Sequence, residues 1–98
     1  MLTKKFLKTK NVCDVIFEYE RGGKTAALAG DFNNWQPQPM KKAKKANSPF
    51  RLKVRLPKNG QFQFRYLIDG ENWENDSVAD AYWGNDHGSE NSVVMTTA

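Results

Sequence analysis

The chain has 98 residues, 39% of them hydrophobic and 12% aromatic, with a formal net charge of +4. That length suits one domain with a modest core and is too short for a barrel enzyme with its own substrate cleft. The aromatic content argues against disorder over most of the chain, and a single Cys with a single His excludes an internal disulfide or a four-ligand zinc site of the usual N/S type; no metal or cofactor is expected.

Residues 1–11 are basic, with Lys4, Lys5, Lys8 and Lys10 set among Leu2, Phe6 and Leu7. They lack the apolar run of a secretory signal and are expected to form a basic arm ahead of a domain at 12–98. No stretch has the length of a membrane span, so no membrane partner is expected and the cytoplasm is the expected compartment. Cys13, Val15, Phe17 and Tyr19 then alternate with Asp14, Ile16 and Glu18, the pattern of a half-buried strand, with Cys13 as a core thiol. The Gly22, Gly23 turn leads into Thr25 to Ala29, which reads as the second arm of a hairpin.

Gly30, Asp31, Phe32, Asn33 and Asn34 lead to Trp35, and the three short polar side chains are expected to satisfy local backbone as turn formers. A short strand is expected at Pro39 to Lys42. The stretch from Lys41 to Pro49 reads as its end plus a solvated loop, because Pro39 and the Asn47, Ser48, Pro49 cluster bracket any helix too closely. Phe50, Leu52, Val54 and Leu56 alternate strictly with Arg51, Lys53 and Arg55, the clearest strand of the chain. After a turn at Pro57 to Gly60, Phe62, Phe64, Tyr66 and Ile68 alternate with Gln61, Gln63, Arg65 and Leu67, so the two runs read as a second hairpin. The parity of this strand directs Arg65 away from the core.

Asp69 and Gly70 are a hairpin signal ahead of Trp73, in a short strand expected at Asn72 to Glu74. Tyr82 and Trp83 are expected to form an apolar lid over one edge rather than a third platform, His87 to lie in an exposed loop, and Ser92 to Thr96 to form the last strand. About seven short antiparallel strands at this spacing imply an all-β sandwich. Trp35 and Trp73, each held by a turn, can offer flat apolar faces. A sugar ring, with C–H groups on its faces and hydroxyls around its rim, is the natural partner for such faces beside amide and guanidinium groups.

Three separated segments occur in one order: Leu28, Ala29, Gly30, Asp31, Phe32, Asn33, Asn34, Trp35; then Phe62, Gln63, Phe64, Arg65, Tyr66, Leu67, Ile68, Asp69, Gly70; then Gly88, Ser89, Glu90, Asn91, Ser92, Val93, Val94. Together they resemble carbohydrate-binding module family 48. That family includes the early-set domain of isoamylases and branching enzymes and the glycogen-binding domain of the beta subunit of AMP-activated protein kinase. The resemblance implies an immunoglobulin-like, early-set β-sandwich that binds α-1,4-linked glucan such as glycogen or starch. By the kinase-type pattern it implies stacking platforms at Trp35 and Trp73, a basic contact at Arg65, and hydroxyl-bonding groups at Ser89 and Asn91. Two positions depart from that pattern: Asn72 adds a residue between Gly70 and Trp73, and His87 stands where a Leu threads through the sugar helix. Asp80, Ala81, Tyr82 and Trp83 look more like the enzyme-linked branch.

Other classes of function fit less well. Glycoside hydrolysis needs two carboxyl groups flanking the scissile bond, one with a raised pKa, whereas Asp69, Asp76, Asp80, Asp86 and Glu90 lie in polar, turn-rich stretches. No catalytic residue is assigned. Lys41, Lys42, Lys44 and Lys45 with Arg51, Lys53 and Arg55 could meet phosphates, but the segment from Asp69 to Asp86 is acidic and nucleic acid is not expected. For Arg65 the plainer role is an ion pair with Glu74 or Asp76. A module that docks on a separate glucan-metabolising enzyme or kinase is the alternative to sugar binding.

Overall fold

The period-two patterning becomes ten strands in a computed structural model that describes residues 1–44, 48–86 and 88–97. They are β1 (Leu2–Phe6), β2 (Val12–Tyr19), β3 (Ala26–Gly30), β4 (Gln38–Pro39), β5 (Lys41–Lys42), β6 (Phe50–Pro57), β7 (Gln61–Ile68), β8 (Asn72–Glu74), β9 (Ala81–Gly84) and β10 (Glu90–Met95). All pairings are antiparallel. One sheet has the order β1-β2-β6-β5; the other runs β4-β3-β7-β10-β9, with β8 also paired to β7. The expected all-β sandwich is therefore the observed one.

The inner faces meet in a core of Val15, Phe17, Leu28, Phe64, Tyr66 and Val94, all with no exposed surface. Phe17 meets Phe64 edge-on at 5.0 Å between ring centres, and Phe64 meets Tyr66 at 5.6 Å. Such tilted contacts suit the ring quadrupoles better than face-to-face stacking. Cys13 is buried as expected, and burial pushes its thiol pKa up.

Both expected hairpins are corrected. β2 and β3 lie in different sheets, as do β6 and β7, so each Gly-bearing turn is an arch across the core. Facing sheets bury the same alternating positions as adjacent strands would, so patterning does not separate the two arrangements. What distinguishes them is where the turn's polar groups go. Asn59 N–H donates to the Thr96 carbonyl at 2.8 Å and Gly60 N–H to the Thr96 hydroxyl at 2.9 Å. The β6–β7 corner is thus tied to the end of β10. In the first arch, Lys24 and Thr25 N–H both donate to the Asp69 carboxylate, at 2.7 and 3.0 Å.

The expected basic arm at 1–11 is corrected in part, since Leu2–Phe6 is the edge strand β1. Leu2 lies opposite Phe17 and Phe6 opposite Cys13, both on the core side. The edge position leaves Lys4 room to reach Asp80 at 2.6 Å. The expected strand Pro39 to Lys42 divides at buried Met40: Pro39 pairs with Ala27 in one sheet and Lys41 with Arg51 in the other. The chain changes sheets there, which a short run of polar residues around one Met gave no reason to expect. The expected loop position of His87 and residues 45–47 lie outside the described residues.

Candidate functional site

The outer face of the second sheet carries the alternate residues of its strands. Cross-strand pairs share a face, so the pairs Ala29–Arg65, Leu67–Trp73 and Asn91–Trp83 all lie on the outer side, while Phe64 and Tyr66 take the core side. Ala29 is small and fully buried, and the longer side chains rise around it.

The turn that presents Trp35 begins at Gly30, where a Cβ would lie 2.5 Å from the Gln63 carbonyl oxygen and 2.9 Å from Phe64 Cβ. Only Gly lets β3 end this close to β7. A single turn of 3-10 helix follows at Asp31–Asn33, and Phe32 packs on the core, 5.5 Å from the Phe17 ring centre. Asn33 accepts the Gly30 N–H at 2.9 Å and donates to the Leu28 carbonyl at 3.1 Å, the local role expected of it. Asn34 and Trp35 both have φ of 57°, and Trp35 N–H donates to the Gly30 carbonyl at 2.9 Å.

Asp31 does more than shape the turn. Its Oδ1 accepts the Trp35 indole N–H at 3.0 Å and its Oδ2 accepts the Gln63 backbone N–H at 2.8 Å. One carboxylate thereby ties the indole to the backbone of β7, and Trp35 is partly buried.

Trp73 stands on β8 after the Asp69, Gly70 turn, whose φ values of 55° and 72° suit that pair of residues. It is 42% exposed, the greater exposure of the two. The backbone bonds from Thr25 and Lys24 hold the Asp69 carboxyl below its usual pKa and join this hairpin to the first arch.

Arg65 directs its Nε to Asn75 Oδ1 at 3.4 Å and makes no ion pair among the described residues. The expected pairing with Glu74 or Asp76 is therefore absent there. Asp76 is instead buried, accepting the Tyr66 hydroxyl at 2.7 Å and the Met1 ammonium at 2.5 Å. Burial, followed by the Asp76 charge, raises the Tyr66 pKa and keeps its hydroxyl protonated as a donor. Asn75 is itself held, accepting the Ser92 N–H and hydroxyl at 3.0 and 2.9 Å and donating to the Glu90 carbonyl at 2.9 Å.

Asn91 donates to Gln63 Oε1 at 3.1 Å and accepts from Asn85 Nδ2 at 3.2 Å. Ser89 Oγ lies 3.1 Å from Asn85 Nδ2. These groups, from β7, β10 and the loop between β9 and β10, form a rim of amides and one hydroxyl.

Trp35, Arg65, Trp73, Ser89 and Asn91 all line one open cleft of about 530 Å³, together with Asp31, Gln63, Asn85 and Asp86. The last four were not among the expected site residues. Gln63 shares the parity of Arg65, and Asp31 lies one turn before Trp35, so both carried a signal; Asn85 and Asp86 enter through a loop whose path the sequence leaves open. Tyr82 and Trp83, expected together as a lid over one edge, alternate along the edge strand β9 and so take opposite faces. Trp83 lies on the outer face beside Asn91, while the Tyr82 hydroxyl donates to the Asp76 carbonyl at 2.6 Å.

Chemically the cleft offers two indoles, a guanidinium, a hydroxyl and several amides, with carboxylates at its ends. Among the described residues no group of His, Cys, Asp or Glu is arranged to hold a metal ion, and no helix is long and apolar enough to cross a membrane.

The family described as the glycogen recognition site of AMP-activated protein kinase matches residues 13–98. The 5'-AMP-activated protein kinase subunit beta-1 of Sus scrofa is 34% identical over 61 residues, covering 62% of this chain and 46% of that sequence. The same-named subunits of Homo sapiens and Mus musculus are each 33% identical over 61 residues, covering 62% of this chain and 21% of theirs. The chain thus aligns with less than half the length of these curated relatives.

Proposed function

Because this chain belongs to the family of the glycogen recognition site of AMP-activated protein kinase, we propose that it binds α-1,4-linked glucan at this cleft without catalysing any change in it. The observation that carries the reading is that Trp35, Arg65, Trp73, Ser89 and Asn91, drawn from distant parts of the chain, line a single cleft.

In this mechanism the indoles of Trp35 and Trp73 stack on the C–H faces of glucose units. Asp31 fixes the first indole, so little freedom is lost there on binding. The guanidinium ends of Arg65, with the Asn91 amide and the Ser89 hydroxyl, bond the sugar hydroxyls. If each platform contributes about 1–3 kcal/mol, by analogy with aromatic stacking on bases, a shallow site binds on the order of 0.1 mM, and a polymer with many sites is retained more strongly.

The reading extends to a protein partner, a glucan-metabolising enzyme or a kinase subunit, since the relatives are named as kinase subunits. A cytoplasmic location suits the free buried thiol of Cys13. The test is migration in a native gel containing glycogen. The wild type is retarded, and Trp35→Ala with Trp73→Ala removes the retardation while leaving the unfolding transition in place. Equal retardation of the double variant would refute the assignment.

A further inference from the structure

The outer face that carries the cleft does not stop at Asn91. The next strand, β9, is the last of its sheet, and its Trp83 lies directly across from Asn91. Directly opposed residues in an antiparallel pair point to the same side. Trp83 therefore shares a face with the amide that bonds Gln63 in the cleft. It is partly exposed, at the sheet's free edge.

Two details separate Trp83 from an ordinary packing residue. Its indole N–H makes no hydrogen bond among the described residues, whereas that of Trp35 is taken by Asp31. Between it and the cleft stands the rim of Asn85, Ser89 and Asn91, groups suited to sugar hydroxyls. Crossing from β7 to β9 covers two strand spacings, about 10 Å, so a sugar strand lying over Arg65 and Asn91 is carried onto this indole.

We propose that Trp83 is a third platform, outside the cleft, which takes a further glucose unit of an extended α-1,4-glucan crossing β7, β10 and β9. This rests on the glucan reading of the cleft and adds a preference for longer chains. Trp83 lies diagonal to Val93, which is fully buried on this outer face, a spacing within reach of an aromatic ring. Trp83→Leu keeps an apolar cover there and removes the flat face; Trp83→Phe keeps a smaller flat face.

The test is calorimetric titration of the full chain with maltotriose and with maltoheptaose. The ratio of maltoheptaose to maltotriose affinity falls about tenfold in Trp83→Leu, and Trp83→Phe restores part of it. A ratio equal to that of the wild type, whether both affinities hold or both fall together, overturns the platform and leaves the cleft reading standing. A wild type that binds neither sugar overturns both.

Discussion

Asp31 is the residue on which the presentation of Trp35 turns. Its two carboxylate oxygens are spent on different elements, one on the indole N–H and one on the backbone of β7. Without it the indole keeps its backbone anchor at Gly30 but loses its tie to β7. Hydrogen bonds to charged groups contribute about 1.5–3 kcal/mol, and less at an exposed site such as this. Asp31→Ala is therefore expected to weaken glucan binding by roughly tenfold with little change in the unfolding midpoint. Titration with maltoheptaose beside thermal unfolding checks both parts; wild-type affinity in the variant would show that Trp35 needs no clamp. The short polar residues of this turn were legible as turn formers, and Asn33 acts as one. That Asp31 also holds an aromatic side chain was not legible, because the bond depends on a left-handed residue at Trp35, a conformation uncommon for a bulky side chain.

At the level of elements, alternation of apolar and polar residues identified β2, β6 and β7 and the parity of Arg65, but did not specify which strands pair. Two arches were expected as hairpins because the Gly-bearing turns look alike in both arrangements. The deciding contacts are long-range, with Thr96 closing one corner and Asp69 the other. β9 went unread because Ala81, Tyr82, Trp83 and Gly84 are too short a run to show a period. The link from Asp69 to the first arch has a pH signature. Its backbone bonds hold the carboxyl below its ordinary pKa in the folded chain, so the unfolded chain binds more protons as pH falls. The contribution to stability is full above the ordinary carboxylate pKa and is lost as pH drops through the lowered folded value. Asp69→Asn, which tolerates the same left-handed backbone, is expected to be less stable than wild type at neutral pH, with the gap closing on acidification. Urea unfolding midpoints of both chains across that range measure it, and a gap that stays constant would contradict the linkage.

Across the whole molecule, the row of basic side chains and the aromatic cleft lie on different sheets. The outer face of the first sheet carries exposed Lys5, Lys41, Arg51, Lys53 and Arg55. Arg55 grips Asp14 at 2.8 and 3.2 Å, and that bond lowers the Asp14 pKa; Arg51 lies 3.5 Å from Glu18. The cleft lies on the opposite sheet, with Arg65 as its cation. A neutral ligand held by stacking and hydroxyl bonds should then be indifferent to ionic strength, unlike a polyanion bound through phosphates. The most direct measurement is calorimetric titration of maltoheptaose into the wild type and the Trp35→Ala, Trp73→Ala double variant, at low and high salt. Saturable binding by the wild type on the order of 0.1 mM, unchanged by salt and absent from the double variant, is the expected result. No saturable binding by the wild type, or equal binding by the double variant, would contradict the account.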